Sequence, residues 1–132
     1  MPATILSVDD EDDVTALVSF HLRKAGYLVR TAADGRSALN AVALEKPDLL
    51  ILDLMLPDID GFGVCEILRR QPKTATIPII ILTAWATPDA QHVGLELGAL
   101  DYMTKPFSPR ALVDRVDHLL GLRPAPITKP RR

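Results

Sequence analysis

At 132 residues and 14.4 kDa, the chain fits one domain, since chains generally divide only beyond roughly 250–300 residues. It is 48% hydrophobic and 24% charged, which is too apolar for a disordered chain, and its 15 basic and 17 acidic residues leave a net charge of -2, which excludes an overall attraction to nucleic acid or an anionic membrane. The longest apolar run, Ile77 to Ala86, falls well short of the roughly 20 residues of a membrane span; no signal-peptide pattern opens the chain, the single Cys65 cannot form an intramolecular disulfide, and a cytoplasmic location is expected.

Short aliphatic or β-branched runs alternate with segments of helical period, the pattern of βα units on a parallel sheet. The first strand is read over Thr4–Val8, followed by a helix with an apolar face of Val14, Leu17, Val18, Leu22 and Ala25. A second strand, Tyr27–Ala32, precedes a helix marked by Ala38, Leu39 and Val42. The third strand, Leu49–Leu52, is wholly apolar, as a strand covered on both faces should be, and its helix carries Val64, Ile67 and Leu68. The fourth strand, Ile77–Leu82, leads to a helix with a thinner stripe of Ala90, Val93 and Leu97, in which Gly94 lowers helix propensity. A shorter fifth strand, Leu100–Met103, and a helix bearing Leu112, Val113, Val116, Leu119 and Leu120 complete residues 1–121. Residues 122–132 are rich in proline and basic residues and read as a tail or linker, with no DNA-binding module.

The stretch LLILDLMLPDIDG, Leu49 to Gly61, places the carboxylate of Asp53 directly after an apolar strand. A buried charge is costly unless paired, metal-bound or neutralised. The first strand ends similarly, in Asp9-Asp10. If the two strands are neighbours at a topological switch point, these carboxylates converge at the crevice where ligands bind in such sheets. Their repulsion then calls for a cation, and an all-oxygen cluster suits a hard divalent ion, magnesium or alternatively manganese. Thr83 ends the fourth strand and Lys105-Pro106 follows the fifth. Carboxylates, metal, hydroxyl and ammonium are the parts of a phosphoryl-transfer site, and an aspartate can itself be the nucleophile, forming an acyl phosphate.

Four motifs in this order, VDDE, ILDLMLPDIDG, LTA and DYMTKPF, make residues 3–121 resemble a response-regulator receiver domain of two-component signalling. The resemblance implies a flavodoxin-like, doubly wound (βα)5 sandwich with a five-stranded parallel sheet in the order 2-1-3-4-5. It implies Asp53 as phosphoacceptor, Asp10 as a direct magnesium ligand, Asp9 acting largely through water, and the Met55 carbonyl as a further ligand. Thr83 and Lys105 would bind phosphoryl oxygens, the Lys105-Pro106 bond would be cis, and Tyr102 would be the aromatic switch that turns inward with Thr83. The donor would be a sensor histidine kinase or a histidine phosphotransfer protein. The output would be a partner, unidentified by the sequence, on the face made by the fourth helix, fifth strand and fifth helix. Catalysis would be confined to the chain's own phosphorylation and dephosphorylation.

Several residues have plainer readings. Asp58 and Asp60 read as turn residues leading into Gly61, Cys65 as core, and His21, His92 and His118 as structural. Leu100, Gln91, Val93, Ala111 and Gly121 stand where the ion-paired receiver homodimer usually carries charges or their partners, which argues against that dimer here. Trp85 and Met55 are read as flanking the path of water to the acyl phosphate, so slow self-dephosphorylation is expected. A magnesium-dependent aspartyl-nucleophile phosphatase is the enzymatic alternative, but Leu54 and Met55 follow Asp53 where such hydrolases carry a second aspartate. A non-phosphorylated interaction module on the same fold is another. A flavin carrier is disfavoured because the first βα loop, DDEDDV, is acidic where a phosphate cradle is needed.

Overall fold

The computed structural model describes residues 2–121; the tail or linker read over residues 122–132 lies outside the described residues. Strands and helices alternate as β1 (Thr4–Val8), α1 (Asp12–Lys24), β2 (Leu28–Ala32), α2 (Gly35–Leu44), β3 (Leu49–Leu52), α3 (Gly61–Arg69), β4 (Ile79–Thr83), α4 (Pro88–Glu96), β5 (Asp101–Thr104) and α5 (Pro109–Gly121). All neighbouring strands pair in parallel, in the order β2-β1-β3-β4-β5. The fold is the flavodoxin-like one implied by the resemblance, and the order reverses between β1 and β3.

The strand sequences explain the layers, because successive residues point to opposite faces of a sheet. Leu6, Val8, Leu50, Leu52, Ile79 and Ile81 pack with Ala38 and Val42 of α2 and Val64 and Leu68 of α3 on one face. Ile5, Leu49, Ile51, Ile80 and Leu82 face the other way, against Val18 and Leu22 of α1 and Leu112, Val116 and Leu120 of α5. Each fully buried aliphatic side chain contributes about 1.5–3 kcal/mol relative to exposure. Helix starts are set locally: Asp34 accepts from the Ser37 N–H at 2.7 Å, Asp60 from Gly63 at 2.8 Å and Thr87 from Ala90 at 3.2 Å, each satisfying an otherwise orphaned donor.

Three strands differ in their limits from the sequence reading, β4 ending at Thr83 as well as starting later. Tyr27 closes the end of α1 instead, donating its N–H to the Leu22 carbonyl beside Gly26 at φ +103°. The Ile77 N–H bonds back to Thr74 and Pro78 has no N–H to donate, so β4 begins at Ile79. β5 is displaced by one residue, to Asp101–Thr104.

Two helical stripes also prove narrower than expected. Leu17 is 41% exposed and Ala25 is exposed as well, because α1 sits at the β2 edge of the sheet and its outer side meets solvent. Val93 is exposed on α4, where Ala90 and Gly94 form the buried face. A Cβ at Gly94 would lie 2.7 Å from Ile81 Cδ1 and 3.3 Å from Tyr102 Cδ2. The close approach of α4 to β4 and β5 therefore offsets the roughly 1 kcal/mol propensity cost of a mid-helix glycine.

Cys65 is fully buried in the core, and burial pushes its thiol up to about 11. In the unfolded chain the thiol ionises near its ordinary value of 9.0, whereas the native thiol stays protonated to about 11. Stability is therefore lost as pH rises through that window. Urea midpoints measured across it should fall more steeply for the wild type than for Cys65→Ala; parallel pH slopes would contradict the assignment.

Candidate phosphoryl-acceptor site

The parallel register delivers the acidic residues to one end of the sheet. The ladder continues one residue past β1 and β3, with the Asp53 N–H on the Val8 carbonyl at 3.0 Å and the Asp9 N–H on that of Ala32 at 3.1 Å. Asp9 and Asp53 are each 3% exposed, while Asp10 lies in solvent. All three offer an oxygen within 4.8 Å of the others. The acidic residues picked out at the ends of the first and third strands are thus brought together at the switch point.

Lys105 reaches into this cluster from the end of β5. Its N–H bonds to the Thr83 carbonyl at 2.9 Å, and the Lys105-Pro106 bond is cis. Its Nζ lies 2.8 Å from Asp9 Oδ2, 2.8 Å from Glu11 Oε1 and 3.1 Å from Asp53 Oδ2. The sequence alone assigns Glu11 no role, although its place in VDDE beside two strand-end carboxylates is a signal. Its side chain is 61% exposed, so its ion pair is the weak one of the three. The remaining carboxylate oxygens are held by backbone: Asp53 Oδ1 accepts from Met55 N–H at 3.1 Å and Asp9 Oδ1 from Glu11 N–H at 2.9 Å.

The electrostatics follow from a surplus of anions over one ammonium. Burial works against the Lys105 charge, but hydrogen bonds to Asp9, Glu11 and Asp53 outweigh it and hold the ammonium above its usual range. Burial lifts the Asp9 carboxyl above its usual range, and Asp53 adds to the lift; the bonds from Lys105 and the Glu11 N–H do not cancel it. One cation cannot satisfy several carboxylates, so the donor set fits a hard divalent ion.

Thr83 ends β4 fully buried, and its Oγ1 accepts from the Trp85 N–H at 3.3 Å. Tyr102 is half-buried on β5, with its hydroxyl donating to the Trp85 carbonyl. Burial, then the charge of Asp53, keeps this phenol protonated beyond its usual range. Thr83 and Tyr102 thus hold the same short loop from two sides. Trp85 is 43% exposed and Met55 58%; with Pro57 and Ala84 they line an apolar groove of about 800 Å³ that opens beside Asp10. The Trp85 ring packs against Phe62, with centroids 5.6 Å apart.

The other sequence readings find simple places. His92 pairs with Glu96 within α4 at 3.3 Å, and His21 packs edge-on against Phe20. Asp101 at the start of β5 pairs with Arg115 of α5 in the same chain, and Leu100 is 56% exposed. Asp60 serves as the N-cap of α3, but Asp58 reaches beyond its own turn to α2, accepting from Gly35 and Arg36.

A doubly wound α/β chain with an acidic crevice at its switch point, a strand-end hydroxyl and one lysine among the carboxylates is the architecture of a signalling receiver. Residues 5–117 match the family model for the response regulator receiver domain, and the chain belongs to that family, the receiver domains of two-component response regulators. It is 49% identical over 120 residues, 91% of this chain and 49% of the relative, to the alkaline phosphatase synthesis transcriptional regulatory protein PhoP of Bacillus subtilis. It thus spans about half the length of the curated relatives it matches. Among solved structures, the chemotaxis protein CheY4 of Vibrio cholerae superposes with a TM-score of 0.84 at 35% identity, covering 89% of this chain and 98% of that one. The BeF3-activated N-terminal receiver domain of Klebsiella pneumoniae RstA gives 0.82 at 36% identity, covering 89% and 97%. Among the described residues no helix is long and apolar enough to cross a membrane.

Proposed function

We propose that Asp53 accepts a phosphoryl group from a sensor histidine kinase or a histidine phosphotransfer protein in the cytoplasm, within a receiver unit spanning residues 1–121. The observation that carries this reading is the Lys105 ammonium, seated between the two buried carboxylates of Asp9 and Asp53. An Asp53 Oδ attacks phosphorus as the phosphorus–nitrogen bond of the donor breaks, and the imidazole leaves with the electron pair and takes up a proton. Lys105 then meets the new phosphoryl oxygens, and the Thr83 hydroxyl, at the end of the adjacent strand, donates to them. Such groups act by positioning and by neutralising charge on oxygen. Asp9, Asp10, Asp53 and the Met55 carbonyl would hold magnesium or manganese, which supplies further charge neutralisation when bound.

Tyr102 and Thr83 would pass the change outward, because both already bond to the loop at Trp85. A ligand or modification moves such a balance only by its differential interaction with the two states. The output partner would bind the face of α4, β5 and α5. There, exposed Val93 and Leu100 and the internal Asp101–Arg115 pair support a contact other than the ion-paired homodimer. The reaction is confined to the protein's own phosphorylation and dephosphorylation.

Intact-mass measurement after incubation with magnesium and a small acyl-phosphate donor tests the proposal. One added phosphoryl group is expected on the wild type, and none on Asp53→Asn or after chelation of the metal. An adduct that persists in Asp53→Asn would assign the acceptor elsewhere.

A further inference from the structure

The loop between β3 and α3 carries Met55, and part of its anchorage lies outside the acidic cluster. The first N–H groups of a helix have no intrahelical partner. At α2, Asp34 takes only the Ser37 N–H. Asp58, from the β3–α3 loop, takes the two preceding ones: its Oδ1 accepts from Gly35 N–H at 2.8 Å and its Oδ2 from Arg36 N–H at 3.0 Å. The two segments also touch directly, since a Cβ at Gly35 would lie 2.8 Å from Ile59 Cβ. Elsewhere the loop is tied by the Gly61 N–H to the Leu54 carbonyl at 3.0 Å. Met55 contributes little anchorage of its own: its side chain is exposed, and its N–H rests on the carboxylate of Asp53 at 3.1 Å.

We infer that Asp58 is a positioning residue for the metal site: by clamping the β3–α3 loop to the N-terminus of α2, it sets the place of the Met55 backbone. This rests on the reading that Met55 and the strand-end aspartates share a divalent ion. Both Asp58 oxygens are used, on two adjacent N–H groups, so the carboxylate fixes the loop's orientation as well as its distance. Asp34 supplies an internal comparison, because it caps the same end of the same helix without touching the loop.

Calorimetric titration with magnesium chloride, beside thermal unfolding, separates positioning from general stability. Asp58→Ala should weaken magnesium binding roughly tenfold, as loss of a supporting partner around a metal ligand does. Asp58→Asn, which keeps one accepting oxygen, should fall between it and the wild type. Asp34→Ala should lower the unfolding temperature while leaving magnesium affinity unchanged. Wild-type affinity in Asp58→Ala would overturn the inference, as would an equal loss in Asp34→Ala. If Asp58→Ala fails to fold, the affinity of Asp58→Asn decides in the same way. A wild type that binds no magnesium would remove the metal-site reading itself and this inference with it.

Discussion

Lys105→Met is expected to remove about 3 kcal/mol from the unfolding free energy in the presence of a chelator, at the lower end of the cost of breaking a buried ion pair. The Lys105 side chain is 12% exposed and the side chains of its partners Asp9 and Asp53 are 4% exposed each, so methionine would leave two buried carboxylates facing each other without their cation. The exposed Glu11 adds little to the loss. Magnesium should recover more stability in the variant than in the wild type, because it then takes over the whole task of neutralisation. Phosphoryl uptake should nevertheless slow by roughly 10²–10³-fold, the usual cost of deleting one group that stabilises transition-state charge. Urea unfolding with and without magnesium, together with the time course of the mass shift, reads both effects. An unchanged unfolding midpoint in chelator would show that the Lys105 contacts carry no stability, and an unchanged rate would take Lys105 out of the chemistry.

Gly61→Ala is expected to cost about 2–3 kcal/mol, the upper part of the range for overpacking, and to slow phosphoryl uptake as well. The reason is proximity and not backbone conformation: a Cβ there would stand 2.5 Å from the Asp53 carbonyl oxygen and 2.7 Å from Leu54 Cα. Both are backbone atoms of the segment that presents the acceptor, so relief requires the end of β3 to move. Gly26→Ala is the contrasting change, with nothing within 4 Å of its Cβ but a φ of +103°. It should destabilise through backbone strain alone and leave the phosphorylation rate intact. Equal rates in Gly61→Ala and the wild type would mean that the end of β3 tolerates displacement without affecting the site.

What the sequence determined by itself was the alternation of elements and the candidate set of the crevice. Strands covered on both faces must be almost wholly apolar, so Leu49–Leu52 and the carboxylate that follows stood out without any knowledge of neighbours. Asp9, Asp10, Thr83 and Lys105 could likewise be placed at strand ends, because parallel strands deliver those ends to one side of the sheet. The depth to which each helix is covered was not legible. Periodicity gives the direction of Leu17 and Val93 around their helix axes, but only packing decides how far a neighbour extends over them, and both remain exposed. Gly94 illustrates the converse: in sequence it is a weak helix residue, and in the fold it is where α4 approaches Ile81 and Tyr102. Glu11 on Lys105 and Asp58 on the start of α2 also belong to the tertiary structure. A surface carboxylate finds a distant partner only after the loops have been set in place, and a charge next to a turn looks the same in sequence whether it caps its own segment or clamps another.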